Sequence, residues 1–145
     1  MTTALFIKYL HILFVLILVS SVFTELILIK KKLNRRTISL LAKLDAGYGL
    51  ASIAVVGLGL ALWFGLGKPA EFYSDNPIFW LKVSLAILLG LLSIYPTVYF
   101  IKNRTGNQND EIQVKKWVLI CIYIEVGVLV VIPLLAVFMA NGVGL

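Results

Sequence analysis

One cysteine, one histidine, two methionines and only seven acidic residues occur in this 145-residue chain. A lone Cys121 inside an apolar run excludes a disulfide framework and a thiolate metal cluster. A lone His11 excludes a Ser/His/Asp catalytic set built on a second histidine, and a zinc site assembled from several imidazoles. No Gly-rich phosphate loop is present, and no paired carboxylates fall in a polar stretch. Charged residues make up only 14% of the chain, whereas hydrophobic residues reach 61%. A water-soluble domain of this size leaves about 30% of its surface facing solvent and could not hide that much apolar area. With a mean hydropathy of +1.00, the composition suits a lipid environment.

What the chain does have is four long apolar stretches, at about 4–29, 38–64, 79–101 and 117–140. Each exceeds the ~20 residues that a helix needs to cross the hydrocarbon core, and none shows the alternating polarity of a spanning strand. The expected fold is therefore all-α: one integral membrane domain over 1–145, folded as an antiparallel four-helix bundle with short loops. The first stretch is too long for a cleaved signal peptide and lacks an A-x-A site, so it reads as a retained helix.

The net charge of +6 sits in the loops. "KKKLNRR" follows the first stretch, and "KNRTGNQNDEIQVKK" follows the third. "GLGKPAEFYSDNP", between the second and third, holds Lys68 against Glu71 and Asp75. The positive-inside rule places loops 30–37 and 102–116 in the cytoplasm and both termini outside, in a bacterial inner membrane. Trp63, Phe72, Tyr73, Phe79 and Trp80 read as an outer aromatic belt. A basic chain of this kind is explained by topology, with the bilayer and not nucleic acid as its partner.

Seven ionisable groups fall within the apolar stretches: Lys8, His11, Glu25, Lys43, Asp45, Lys82 and Glu125. Each charge placed at the bilayer centre costs roughly 3 kcal/mol on insertion scales, so a retained one needs a partner or a task. Lys8, His11, Val15, Leu18, Val22 and Glu25 are spaced three and four apart and share a helix face. His11 and Lys82 are expected in the outer half, and Glu25 and Asp45 in the inner half. The lysines can snorkel, and Glu25 and Asp45 can pair with Lys43 or the basic loop. Glu125 lies deepest and needs a proton, a cation or a hydrogen bond from Tyr48, Tyr95, Tyr99 or Tyr123. Glu25, Asp45, Tyr95 and Glu125 form the expected buried polar set. Gly47, Ala51, Gly57 and Ala61 are expected to let neighbouring helices approach closely. Pro96 is expected to kink the third helix.

"YLHIL" with Glu25, "AKLDAGYGLASIAVVGLGLALWF", "NPIFWLK" followed by "LLSIYPT", and "EVGVLVVIPLLAVFMANGVG" resemble a bacterial family of predicted membrane proteins of unknown function. That resemblance covers almost the whole chain and implies four helices without an activity. Lys8, His11, Lys82 and Glu125 are more distantly similar to features of HemJ-type protoporphyrinogen oxidases, and CopD-type membrane proteins share the general plan. The HemJ likeness implies a haem b site with His11 as iron ligand, Lys82 near a propionate, and Glu125 as a proton relay. Three functions remain open from sequence. The first is an accessory or assembly subunit of a larger membrane complex, such as a respiratory one, in which the chain is not itself an enzyme. The others are a haem-binding redox-linked protein, in which bis-histidine ligation would need a dimer, and a proton or small-solute transporter.

Overall fold

The computed structural model describes residues 2–144. Four helices are long and apolar enough to cross a membrane. They are α1 (Thr2–Leu28), α2 (Arg35–Ala61, continued by a π-helical turn over Leu62–Leu66), α4 (Pro77–Asn103) and α5 (Lys116–Ala140). A short α3 (Ala70–Ser74) lies between α2 and α4. The long helices fall close to the expected boundaries, each displaced by a few residues.

The start signals explain two of those displacements. Asn34 caps α2, its Oδ1 accepting from the Thr37 backbone N–H at 3.0 Å and from the Thr37 hydroxyl at 2.6 Å. Helix α2 therefore begins inside the basic run rather than at the first apolar residue. Asn76 caps α4, accepting from the Ile78 N–H at 2.9 Å, with Pro77 as first helical residue. Its amide also donates to the Val143 carbonyl at 3.0 Å, which ties the end of the chain to the α3–α4 junction.

The two basic loops are ordered by pairing, which the sequence did not lead us to expect. Strand β1 (Lys32–Asn34) runs antiparallel to β2 (Glu111–Gln113), with Leu33 opposite Ile112. Both loops therefore lie at the same end of the helices. Arg35 fastens this end. Its guanidinium donates to the carbonyls of Asn103 at 2.9 Å and Thr105 at 2.6 Å, and meets Asp110 at 3.4 Å. The Tyr99 hydroxyl donates to the Gln113 carbonyl at 3.1 Å.

Helix α1 packs chiefly on α2, and α4 on α5, while α2–α4 and α1–α5 contacts close the ring. Beneath the ribbon lies one apolar layer that includes Ile29, Ile38, Leu41, Phe100, Val118 and Ile122. Deeper in the bundle lies a second, built from Leu18, Val22, Tyr48, Ala51, Leu89 and Leu129.

The expected small-residue packing is redistributed. Ala51 is buried in the second layer, but a Cβ added to Gly47 or Gly57 would meet nothing within 4 Å, because both face outward. The close approach falls at Gly59 instead, where an added Cβ would lie 3.4 Å from His11 Cε1. Thr97, after Pro96, donates to the Ser93 carbonyl at 2.8 Å within its own helix.

Candidate functional site: a buried layer of acids

Core positions on α1 recur as Leu18, Val22, Glu25 and Ile29; on α2 as Leu41, Asp45 and Tyr48; on α5 as Val118, Ile122, Glu125 and Leu129. The three- and four-residue spacing keeps each set on one inward face, so an acid is inserted where a leucine would otherwise sit. Glu25 and Glu125 are each 2% exposed and Asp45 is 5% exposed. The three carboxyls come from three helices and form a polar layer between the two apolar ones. They are close enough to act on one another: Asp45 and Glu125 both bear electrostatically on Glu25, and Asp45 bears on Glu125.

No cation joins them. The ion pairs among the described residues are Lys32–Glu111 and Arg35–Asp110, both at the ribbon end. The pairing of Glu25 and Asp45 with Lys43 or the basic loop is thus absent, and the Lys43 side chain is exposed on the outside of α2. Glu25 Oε1 and Glu125 Oε1 are buried with no hydrogen-bond partner. A buried oxygen left in that condition carries its full desolvation cost, about 1–3 kcal/mol for a neutral group and more for a charge.

The tyrosine beside this layer is Tyr48, which is buried and lies within electrostatic reach of both glutamates and next to the Ser52 and Ser93 hydroxyls. Tyr95, expected in the buried set, is 40% exposed on the outer surface of α4, one residue and about 100° of helix rotation from the buried Pro96. Tyr123 also faces outward, and Tyr99 is engaged with the ribbon. Thr97, beside Asp45, and Ser93 belong to the site, and Ser93 was not singled out from sequence. The available signal was their inward register on α4, spaced four residues apart.

His11 and Lys82 lie together toward the other end of the bundle, away from the acids. The Lys82 ammonium acts on the His11 imidazole, while Lys82 Nζ stands 5.4 Å from the Phe79 ring centroid. His11 is half-buried against α2, between the Val55 backbone and Gly59, and its Nδ1 is buried without a hydrogen-bond partner. Lys8 points outward. The His11 ring packs against Gly59 of α2, and the cleft between α2 and α4 does not reach it. Among the described residues, no three His, Cys, Asp or Glu side chains are grouped so as to hold a metal ion.

Four apolar helices around a buried ionisable layer define a polytopic helical membrane protein. The chain belongs to the family described as Predicted membrane protein (DUF2214), whose model matches residues 3–144. No curated protein matches it. No solved structure matches it either. The likeness to HemJ-type and CopD-type proteins therefore has no match behind it.

Proposed function

We propose that this chain is a proton-handling protein of the bacterial inner membrane, serving as an accessory subunit of a larger membrane complex or as its own dimer. In this reading it is an antiparallel four-helix bundle, with loops 30–37 and 102–116 cytoplasmic and both termini on the opposite side. The charge distribution supports that orientation, and the pairing of β1 with β2 supports a shared side for the two basic loops.

One observation carries the functional reading: three buried carboxyls from three helices lie within electrostatic reach of one another, with no ion pair among them. Two like charges about 5 Å apart repel by roughly 3 kcal/mol even at an effective dielectric of about 20. Three full negative charges are therefore disfavoured together, and in this reading the layer shares protons whose number changes with conditions. Titration of such a layer belongs to the group as a whole. Its members are held by separate helices, so a change in proton count alters the force between α1, α2 and α5. That coupling is what a proton-linked subunit needs.

A pH jump on protein in lipid nanodiscs, followed with an impermeant indicator dye, tests this. The wild type is expected to take up protons that the Glu25→Gln/Glu125→Gln variant does not. Equal uptake by both would contradict the reading. In proteoliposomes, uptake without net flux supports the subunit role. Flux abolished in the variant would make the chain a transporter in its own right.

A further inference from the structure

Beside the acid layer, a cleft of about 360 Å³ opens between α2 and α4. From its lining we propose that it binds a small primary ammonium ion, R–NH3+. Ala46, Gly49 and Gly90 make the space, and a Cβ added to either glycine would meet nothing within 4 Å. At about 30 Å³ per molecule of liquid water, this is far more than one water requires, and it lies within the ~300–1,000 Å³ range of small-molecule pockets.

The polar part of the lining is built to accept hydrogen bonds. Ser52 Oγ donates to the Tyr48 carbonyl at 2.9 Å, Ser93 Oγ to the Gly90 carbonyl at 2.8 Å, and Thr97 Oγ1 to the Ser93 carbonyl at 2.8 Å. Each of these hydroxyls donates inside its own helix and turns lone pairs toward the cleft, where the Tyr48 hydroxyl and the Arg104 guanidinium are the remaining donors. Asp45 faces the same space, 5% exposed and in no ion pair, with the Thr97 hydroxyl within hydrogen-bonding reach of its carboxyl.

A ligand that suits this wall carries donors and no acceptors at its head, and a single positive charge. An ammonium group has three N–H donors and no lone pair. A metal ion is a poorer fit, because no triad of ligating side chains is available. Arg104 stands at the mouth, two helical turns and about 10 Å along α4 from Thr97. The arginine disfavours multiply charged cations. The alkyl part would lie along Ala42 and Ile101.

The inference shares Asp45 with the acid layer but does not require proton uptake. Its test is thermal unfolding of the detergent-purified protein against methylammonium, tetramethylammonium, sodium and potassium chlorides at constant ionic strength. Methylammonium should raise the melting temperature in a saturable way. Tetramethylammonium, with the same charge and no N–H, should behave like sodium and potassium. Asp45→Asn should weaken the apparent affinity by about tenfold or more, the loss expected when a charge-assisted hydrogen bond goes. Gly90→Leu, which fills the cleft from the opposite helix and leaves Asp45 in place, should abolish the response, whereas Glu125→Gln should retain it. No specific effect of methylammonium, an equal effect of tetramethylammonium, or a full response in both Asp45→Asn and Gly90→Leu would overturn the proposal. Proton uptake that fails while the ammonium response persists would sink only the proton reading, and the converse only this one.

Discussion

Glu125→Leu is expected to stabilise the protein by about 1–3 kcal/mol while removing its proton uptake, because burying polar or ionised groups is often less favourable than packing an apolar side chain of similar volume. Glu125 is 2% exposed, sits one helical turn from Ile122 and Leu129 on the same face, and leaves Oε1 without a partner. A leucine there continues the apolar layers above and below and relieves the repulsion felt by Glu25 and Asp45. Glu25→Leu should act in the same direction. The double substitution should fall short of the sum, since the two sites share one electrostatic term. Gain of stability with loss of function marks a residue retained for work rather than for folding. Chemical or thermal unfolding in a fixed detergent, run beside the pH-jump assay, reads both effects. A loss of 2 kcal/mol or so would instead mean that the acid holds the bundle together.

Arg35→Ala carries the second large effect, and its sign is opposite. A single guanidinium serves two backbone carbonyls and the Asp110 carboxylate, joining the start of α2 to the end of α4 and the approach to β2. Its side chain is only 16% exposed. Hydrogen bonds from a charged donor contribute about 1.5–3 kcal/mol each, whereas the longer pairing with the half-exposed Asp110 adds less than about 1. A loss of roughly 3 kcal/mol follows, with the β1–β2 ribbon opening first. Arg35→Lys should recover less than half, because a compact ammonium cannot reach three acceptors in the fork geometry. Amide hydrogen exchange at Val114, whose N–H donates to the Lys31 carbonyl at 2.9 Å, reports the ribbon directly. Unchanged protection in Arg35→Ala would contradict this assignment.

The contrast between these two residues shows what was legible in the chain. Four spans, the basic loops and the burial of Glu25, Asp45 and Glu125 follow from hydropathy and from three- and four-residue spacing, both of which are local properties. The shared layer of the acids was only half legible, because depth could be counted along each helix but rotation about its axis could not. That same rotation sends Tyr95 to the surface while bringing Ser93 and Thr97 inward. Gly47 and Gly57 look like packing glycines in sequence, yet Gly59 is the one that another helix approaches. The ribbon was hidden for a different reason. Three-residue strands carry almost no periodic signal, and their partner lies some eighty residues away. Arg35 reads as one cation in a basic run until the Asn103 and Thr105 carbonyls are placed beside it.

The central claim is that protons occupy a layer of acids that no side-chain cation neutralises. Infrared difference spectroscopy across a pH step, with the protein in lipid, observes this at the carboxyl carbonyl stretch. The account predicts a protonated-carboxyl band from the wild type that shifts in deuterated water and is lost in the Glu25→Gln/Glu125→Gln variant. A spectrum without such a band at any pH, or one identical in that variant, would contradict it.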